Sequence, residues 1–186
     1  MAVSLIQTRS FNLNCKDFYS YIYRLTENVT PLPVDCGKLC DGSCCKGDEN
    51  TGMYLFPGEK VMYEDLPEWA NIRKCGFSFG VHTVDFISCT GKCDRSLRPL
   101  ACRIFPLFPY IDIYGDLKII MDPRGRGICP LVRAVDISDL DAGFTDTVRY
   151  ISKLMMKNPL LYTYMFELSR FTDQYSTELL FENNEV

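Results

Sequence analysis

Ten cysteines dominate the chemistry open to this 186-residue sequence. Eight of them fall into groups or follow a motif described below, namely Cys36, Cys40, Cys44, Cys45, Cys89, Cys93, Cys102 and Cys129. A thiolate is a soft ligand, and two thiolates a few residues apart can reach one ion while the chain turns around it. The glycines inside the tight groups (Gly37, Gly42 and Gly91) suit a backbone that turns with a positive φ. The spacing therefore predicts a thiolate metal site.

The order of the cysteine groups resembles that of a known family. Cys-x3-Cys-x3-Cys-Cys starts at Cys36, Cys-x3-Cys starts at Cys89, and Arg98-Pro-Leu-Ala-Cys-Arg-Ile-Phe-Pro106 follows. This order is similar to the YkgJ-like family, a cysteine-cluster domain described as chelating zinc or iron. The similarity covers residues 34–131, and the Arg-Pro-x-x-Cys-Arg-x-Phe-Pro motif is its specific part. Many members have two residues between the first cysteines where this chain has three, so it stays open which of Cys40, Cys44 and Cys45 bind.

The resemblance implies a cofactor class rather than a reaction. Members tend to carry a further cysteine after the Phe-Pro motif, and Cys129 fits that place. Zinc and iron–sulfur clusters both suit an all-cysteine site. Because eight cysteines exceed the four that one ion needs, either some do not ligate or two ions bind. Some similar proteins are linked to lysine methylation of flagellin, so an iron–sulfur enzyme or a redox protein is the alternative to a binding module.

Motifs that would favour an enzyme are missing. The sequence has no Gly-x-Gly-x-x-Gly, no phosphate-binding loop and no Cys-x3-Cys-x2-Cys. His82, the only histidine, lies seven residues before Cys89 without a partner at metal-ligand spacing, so we interpret it as a strand residue. A single histidine also argues against histidine-based acid–base catalysis. Cys15 and Cys75 are interpreted as core residues, and a binding module without catalysis is favoured.

The segment around Cys102 is basic in a chain whose formal charge is −4. Four thiolates on a divalent ion leave a net charge of about −2. Arg98 and Arg103 flank Cys102, and we expect them to stabilise that charge from outside the ligand set. Lys92 and Arg95 are interpreted as solvated side chains.

Composition limits the other function classes. The negative charge argues against a nucleic-acid partner, and no apolar window approaches the length of a membrane span. The first residues lack the basic head and apolar run of a signal peptide. A reducing cytoplasm is therefore expected, where ten cysteines indicate metal rather than disulfides. The expected partner is the metal ion or cluster, and a protein partner is left open.

The elements that must position the cysteines include both helices and strands. Residues 11–30 predict a helix whose apolar stripe comprises Phe18, Tyr21, Ile22 and Leu25. A second helix is predicted to begin at Pro57-Gly-Glu59. Trp69 is interpreted as a packing residue, and residues 74–88 are predicted to form β-structure. Residues 110–121 predict a β-hairpin that turns at Gly115-Asp116.

The last third predicts two helices separated at Asn158-Pro159. The first is capped near Asp136 or Ser138 and carries a stripe of Leu140, Phe144, Val148, Ile151 and Met155. We therefore expect an α+β fold in which a small, irregular, metal-stabilised core with a β-hairpin is surrounded by about four helices. Residues 1–133 would form the cysteine-cluster domain, and residues 134–186 a helical hairpin packed on it in one compact unit.

Overall fold

The computed structural model describes residues 15–46, 51–90 and 93–182, with side chains up to residue 174. Its helices are α1 (15–25), α2 (Gly37–Cys40), α3 (Leu100–Ile104), α4 (Pro130–Ala134), α5 (Ala142–Met155) and α6 (Pro159–Glu182). Its strands are β1 (Gly52–Tyr54), β2 (Ala70–Phe79), β3 (His82–Cys89), β4 (Leu107–Ile111) and β5 (Leu117–Met121). Short 3-10 turns lie between them. The predicted α+β fold with a hairpin is confirmed.

The contacts divide the chain into two units. Unit 1 comprises the described residues up to Val29 together with Cys45–Arg103. Unit 2 comprises Thr30–Cys44 together with the described residues from Ile104 onward. Contacts therefore group residues 104–133 with the C-terminal helices, although the sequence suggested a boundary after residue 133.

Unit 1 contains an antiparallel sheet of strand order β1-β3-β2. Ala70 at the start of β2 pairs with Cys89 at the end of β3, and Gly52 at the start of β1 pairs with Ser88. One hydrophobic cluster on this sheet contains Leu55, Tyr63, Ala70 and Ile87, with Met53, Met62, Trp69 and Ile72 packed against it. The predicted β-structure and the packing role of Trp69 are confirmed. Because this cluster is buried, unit 1 has an apolar core of its own.

Helix α1 of unit 1 buries a different stripe from the one predicted. Its buried residues are Tyr19, Ile22 and Tyr23, and Thr26 just after the helix is also buried, whereas Tyr21 is 37% exposed. The Tyr19 hydroxyl donates to the Pro57 carbonyl oxygen at 2.8 Å, so its polar end is satisfied inside the protein. The helix ends at residue 25, earlier than predicted, and the Thr26 hydroxyl donates to the Ile22 carbonyl there. The predicted start of this helix lies outside the described residues.

The hairpin of unit 2 has a longer turn than predicted. Pairing runs from Leu107 opposite Met121 to Ile111 opposite Leu117, which leaves five residues, 112–116, in the turn. The buried Asp112 carboxylate accepts from the Tyr114 and Asp116 amides and pairs with Lys118 at 2.9 Å. An aspartate that satisfies turn amides in this way favours a wide loop over a two-residue turn.

Helices α5 and α6 of unit 2 both contact β4. The predicted stripe is confirmed, because Phe144, Val148, Ile151 and Met155 are fully buried on α5. The cap is Asp141, whose carboxylate accepts from the Phe144 amide at 2.9 Å, and Asp136 instead begins a separate 3-10 turn, Ile137–Asp139. The predicted break at Asn158-Pro159 is confirmed. No helix in the described ranges combines the length and apolarity needed to cross a membrane.

Phe144→Ala should lower the free energy of unfolding by about 3–5 kcal/mol, because Phe144 is 0% exposed and its loss leaves a cavity. Denaturant unfolding of the two proteins measures this difference. The control is Tyr150→Ala on the same helix, because Tyr150 is 48% exposed and should cost well under half as much. Equal losses in both variants would contradict the assigned core face.

Candidate metal centre

The eight candidate cysteines are divided between the two units. Cys45, Cys89, Cys93 and Cys102 belong to unit 1, whereas Cys36, Cys40, Cys44 and Cys129 belong to unit 2. All ten cysteines of the chain lie within the described residues, and no disulfide joins any of them. Unit 1 therefore contains four of the candidate thiols, the number that one tetrahedral zinc ion or one cluster takes.

The sheet and two short turns position the cysteines of unit 1. Cys89 is the last residue of β3, and the chain after it is held by the Thr90 amide, which donates to the Trp69 carbonyl at 2.9 Å. Cys93 precedes the 3-10 turn Arg95–Leu97, which Asp94 caps by accepting from the Ser96 amide at 2.8 Å. Cys102 is the third residue of α3. Local hydrogen bonding thus holds the backbone directly after Cys89 and directly after Cys93.

The thiol of Cys102 lies close to the other three. Burial of this thiol is the largest cause that raises its pKa well above the ordinary value, although the residue as a whole is only partly buried. The negative charges of Cys93, Cys45 and Cys89 raise it further, and the Arg98 guanidinium acts in the opposite direction. These effects require proximity, so the fold brings the thiols of Cys45, Cys89 and Cys93 near Cys102.

Arg98 is the cation of this cysteine group. Burial lowers the pKa of Arg98, but a hydrogen bond to the Cys93 side chain and the thiolate charges of Cys93, Cys45 and Cys102 outweigh burial and raise it. Its Nε is buried without a hydrogen-bond partner. The Arg98 side chain therefore faces the thiols, where its charge favours their ionised form.

Arg103, the other arginine singled out in the sequence, holds a loop. Its Nε donates to the Arg98 carbonyl at 2.5 Å, and its Nη2 donates to the carbonyls of Arg95 and Ser96 at 2.9 and 2.7 Å. Its guanidinium also lies 4.0 Å from the centre of the Tyr23 ring. These hydrogen bonds go to backbone oxygens and not to a thiol, so Arg103 shapes the segment that presents Arg98 and Cys102.

Glu59 is a part of this arrangement that sequence reasoning missed. It is 0% exposed, and burial raises its pKa although hydrogen bonds and the Arg103 charge act in the opposite direction. Gly58, at a φ of 85°, turns the chain immediately before it, and a Cβ there would collide with the Cys15 sulfur. Glutamate after Pro-Gly reads as the exposed start of a helix, and no local signal indicates that its carboxylate points inward.

The first cysteine group of unit 2 is a tight turn. Cys36 precedes α2, Cys40 ends it, and the Cys40 sulfur lies 3.7 Å from the Cys36 carbonyl oxygen. Asp41 and Gly42 follow with φ angles of 51° and 63°, and the Gly42 amide donates to the Gly37 carbonyl at 2.8 Å. The predicted positive φ is confirmed at Gly42 and is wrong at Gly37, which begins helix α2 instead, and Gly91 lies outside the described residues.

Cys129 of unit 2 is 7% exposed and stands directly before α4. Its amide donates to the Gly125 carbonyl at 2.8 Å. Ligation by Cys36, Cys40, Cys44 and Cys129 stays a prediction.

The residues that were not expected to ligate lie in ordinary surroundings. His82 is exposed, its ring centre is 5.2 Å from that of Phe79, and it begins the strand that Cys89 ends. Seven residues of strand separate the two by roughly 23 Å, at about 3.3 Å per residue. The Cys75 sulfur lies 3.3 Å from the Val84 carbonyl oxygen.

The positions of the thiols limit what the arrangement can do as it stands. Among the residues that the structure describes, no three Cys, His, Asp or Glu side chains are arranged so that they could hold one metal ion. The donor chemistry, four thiols with one guanidinium, nevertheless suits zinc or an iron–sulfur cluster. No family model matches the chain, and no curated protein or solved structure matches it significantly.

Proposed function

We propose that this protein binds zinc or an iron–sulfur cluster through cysteine thiolates, with Cys45, Cys89, Cys93 and Cys102 as the central ligands. The observation that supports this most is the gathering of three other thiols around Cys102, beside the Arg98 guanidinium. Neither the hydrophobic effect nor backbone hydrogen bonding requires four thiols in one place. Ionised together, they would repel one another, and a divalent metal ion removes that repulsion.

The charge balance also supports a metal. Four thiolates and a divalent ion carry about −2, so the single half-buried Arg98 beside them leaves about −1. Arg98 stays charged where a lysine would more readily lose its proton, because the guanidinium pKa is far above neutrality. The proposed role of Arg98 is therefore to stabilise the ligated, ionised thiols and to limit access of other cations.

In the described residues the thiols are too far apart to bind one ion together, so ligation requires them to move closer to one another. A change of χ1 between staggered rotamers moves a cysteine sulfur without moving the backbone. We therefore propose that the fold gathers the four thiols and that the metal draws them into contact. The resemblance to the YkgJ-like family supports the same cofactor class and adds Cys36, Cys40, Cys44 and Cys129 as further ligands.

The bound group would supply one of two kinds of chemistry. Zinc in a closed site of four thiolates adds binding energy to folding, whereas an iron–sulfur cluster exchanges electrons. A reducing compartment such as the cytoplasm would keep the thiols available for either. Because no catalytic constellation accompanies the thiols in the sequence, we propose a binding module without catalysis.

Anaerobic purification under reducing conditions, followed by metal analysis and an absorption spectrum, tests the proposal. We expect either colourless protein with stoichiometric zinc or coloured protein with iron and acid-labile sulfide. A wild-type protein that contained neither, and that developed no thiolate charge-transfer band on addition of Cd²⁺, would contradict it.

A further inference from the structure

We propose that Glu59 is a positioning residue that holds Cys102 in place for ligation by capping the first turn of α3. This inference rests on the proposed metal site. The carboxylate of Glu59 accepts hydrogen bonds from Tyr23, Phe56 and Leu100, so it acts on Cys102 through the backbone of the helix that carries this cysteine.

The contact between Glu59 and α3 is direct. The Leu100 amide, the first of the helix, donates to Oε1 of Glu59 at 2.6 Å. The first amides of a helix have no partner within the helix, so an acceptor from elsewhere in the chain determines where the helix begins. Cys102 follows two residues later, and on so short a helix its thiol direction depends on that first turn.

The carboxylate itself is held from three sides. The Tyr23 hydroxyl donates to Oε1 at 2.7 Å, and the Phe56 amide donates to Oε2 at 2.9 Å. Tyr23 and Tyr63 are in hydrogen-bond contact at 3.2 Å, and the Tyr63 hydroxyl donates to the Leu97 carbonyl at 2.9 Å. Glu59 therefore connects α1 and its own turn to both ends of the segment between Leu97 and Leu100.

Because Glu59 is fully buried, its carboxylate carries a desolvation cost that hydrogen bonds must offset. Removing a carboxylate from water is unfavourable unless its oxygens are hydrogen-bonded, and Glu59 accepts hydrogen bonds from three donors while the charge of Arg103 favours its ionised form. A neutral side chain of similar size would leave at least one buried amide poorly paired. One carboxylate oxygen accepts from the Leu100 amide of α3 and the other from the Phe56 amide, so the side chain fixes the position of one amide relative to the other.

The test compares Glu59→Gln with wild type and with two other variants. Glutamine has nearly the same shape but presents an NH₂ group to one of the donors that Glu59 accepts from. Tyr23→Phe removes one bond to the carboxylate and leaves Glu59 itself in place. Asp112→Asn is the matched control, because Asp112 is also a buried, hydrogen-bonded carboxylate but belongs to the hairpin of unit 2.

Two readouts separate positioning from general stability. The first is the affinity for Cd²⁺, measured from the thiolate charge-transfer band in competition with a chelator. The second uses metal-free protein and follows both amide hydrogen exchange in Leu100–Ile104 and the binding of phenylarsine oxide, which needs closely spaced thiols. All measurements are made at a temperature and denaturant concentration at which each variant is folded.

We expect Glu59→Gln to weaken Cd²⁺ binding roughly tenfold to a hundredfold, as is typical for residues that orient metal ligands. Tyr23→Phe should weaken it about fivefold, the effect of one lost hydrogen bond, and Asp112→Asn should leave it unchanged. In the metal-free protein, Glu59→Gln should speed exchange at Leu100–Ile104 and weaken phenylarsine oxide binding.

The inference would be overturned if the Glu59 and Tyr23 variants kept the Cd²⁺ affinity and the hydrogen exchange of wild type. It would also be overturned if Asp112→Asn lost as much affinity as they do. If Glu59→Gln does not fold, Tyr23→Phe decides alone by the same criteria. Wild-type protein that bound no Cd²⁺ through thiolates would overturn the proposed function instead. The exchange and phenylarsine oxide comparison would then still decide whether Glu59 positions Cys102.

Discussion

Cys102→Ser is expected to lose its metal almost completely, whichever metal wild-type protein retains. A serine hydroxyl is a much poorer ligand for zinc or iron than a thiolate, and Cys102 is the thiol whose pKa is raised by Cys45, Cys89 and Cys93. Metal per chain, counted after gel filtration in a competing chelator, measures the loss. Serine at Cys45, Cys89 or Cys93 should give losses of similar size, because each would remove one ligand of the same set.

Cys75→Ser and Cys15→Ser are the controls, and both should keep the wild-type metal content. Cys75 is partly buried, as Cys102 is, so the comparison separates ligation from loss of a semi-buried sulfur. Full metal content in Cys102→Ser would refute the assignment.

The same series distinguishes one site from two. The sequence predicts that Cys36 and Cys40 are each needed, with one of Cys44 and Cys45. If serine at Cys36 or Cys40 left half of the metal in place, two ions would bind. If it left all of the metal, the thiols of unit 1 would suffice.

Arg103→Ala is expected to lower the free energy of unfolding by about 3–5 kcal/mol, the usual cost of removing one partner from a buried charged network. Arg103 is 6% exposed and satisfies the carbonyls of Arg95, Ser96 and Arg98. Without it, those carbonyls lose their donor, and buried Glu59 loses its nearby positive charge. Denaturant unfolding of metal-free protein measures the change without a contribution from the metal.

Arg149→Ala is the control for Arg103→Ala. Arg149 makes an ion pair with Asp146 on the surface of α5, where its side chain is 49% exposed, and such pairs contribute at most about 1 kcal/mol. A loss in Arg103→Ala no larger than that in Arg149→Ala would show that the loop does not depend on the guanidinium.

Elements with a strong local pattern were predictable from the sequence. The apolar stripe of α5 and the break at Asn158-Pro159 agree with the structure, because helix periodicity and proline act through neighbouring residues. The hairpin of β4 and β5 was predictable for the same reason, but its five-residue turn was not. The turn depends on Asp112 and its bond to Lys118, which the dipeptide Gly115-Asp116 does not indicate.

Helix α1 illustrates where local pattern stops being sufficient. Phe18, Tyr21, Ile22 and Leu25 have helical spacing, yet the buried stripe is shifted by one residue towards Tyr19, Ile22, Tyr23 and Thr26. Two tyrosines can be buried there because their hydroxyls donate to Pro57 and Glu59, more than thirty residues away. Burial of a tyrosine depends on a partner for its hydroxyl, and no spacing rule contains that partner.

The sequence by itself determined which residue types are available for the site, because thiolate chemistry follows from cysteine and its spacing. Only the tertiary structure decided that Cys45 joins Cys89, Cys93 and Cys102 in one unit, while Cys44, its neighbour in the chain, belongs to the other. The tertiary structure also decided that Arg98 faces the thiols and that Arg103, five residues later, holds the loop. The physical reason is that each of these outcomes depends on contacts across the chain, such as the Leu100 amide on Glu59, 41 residues apart.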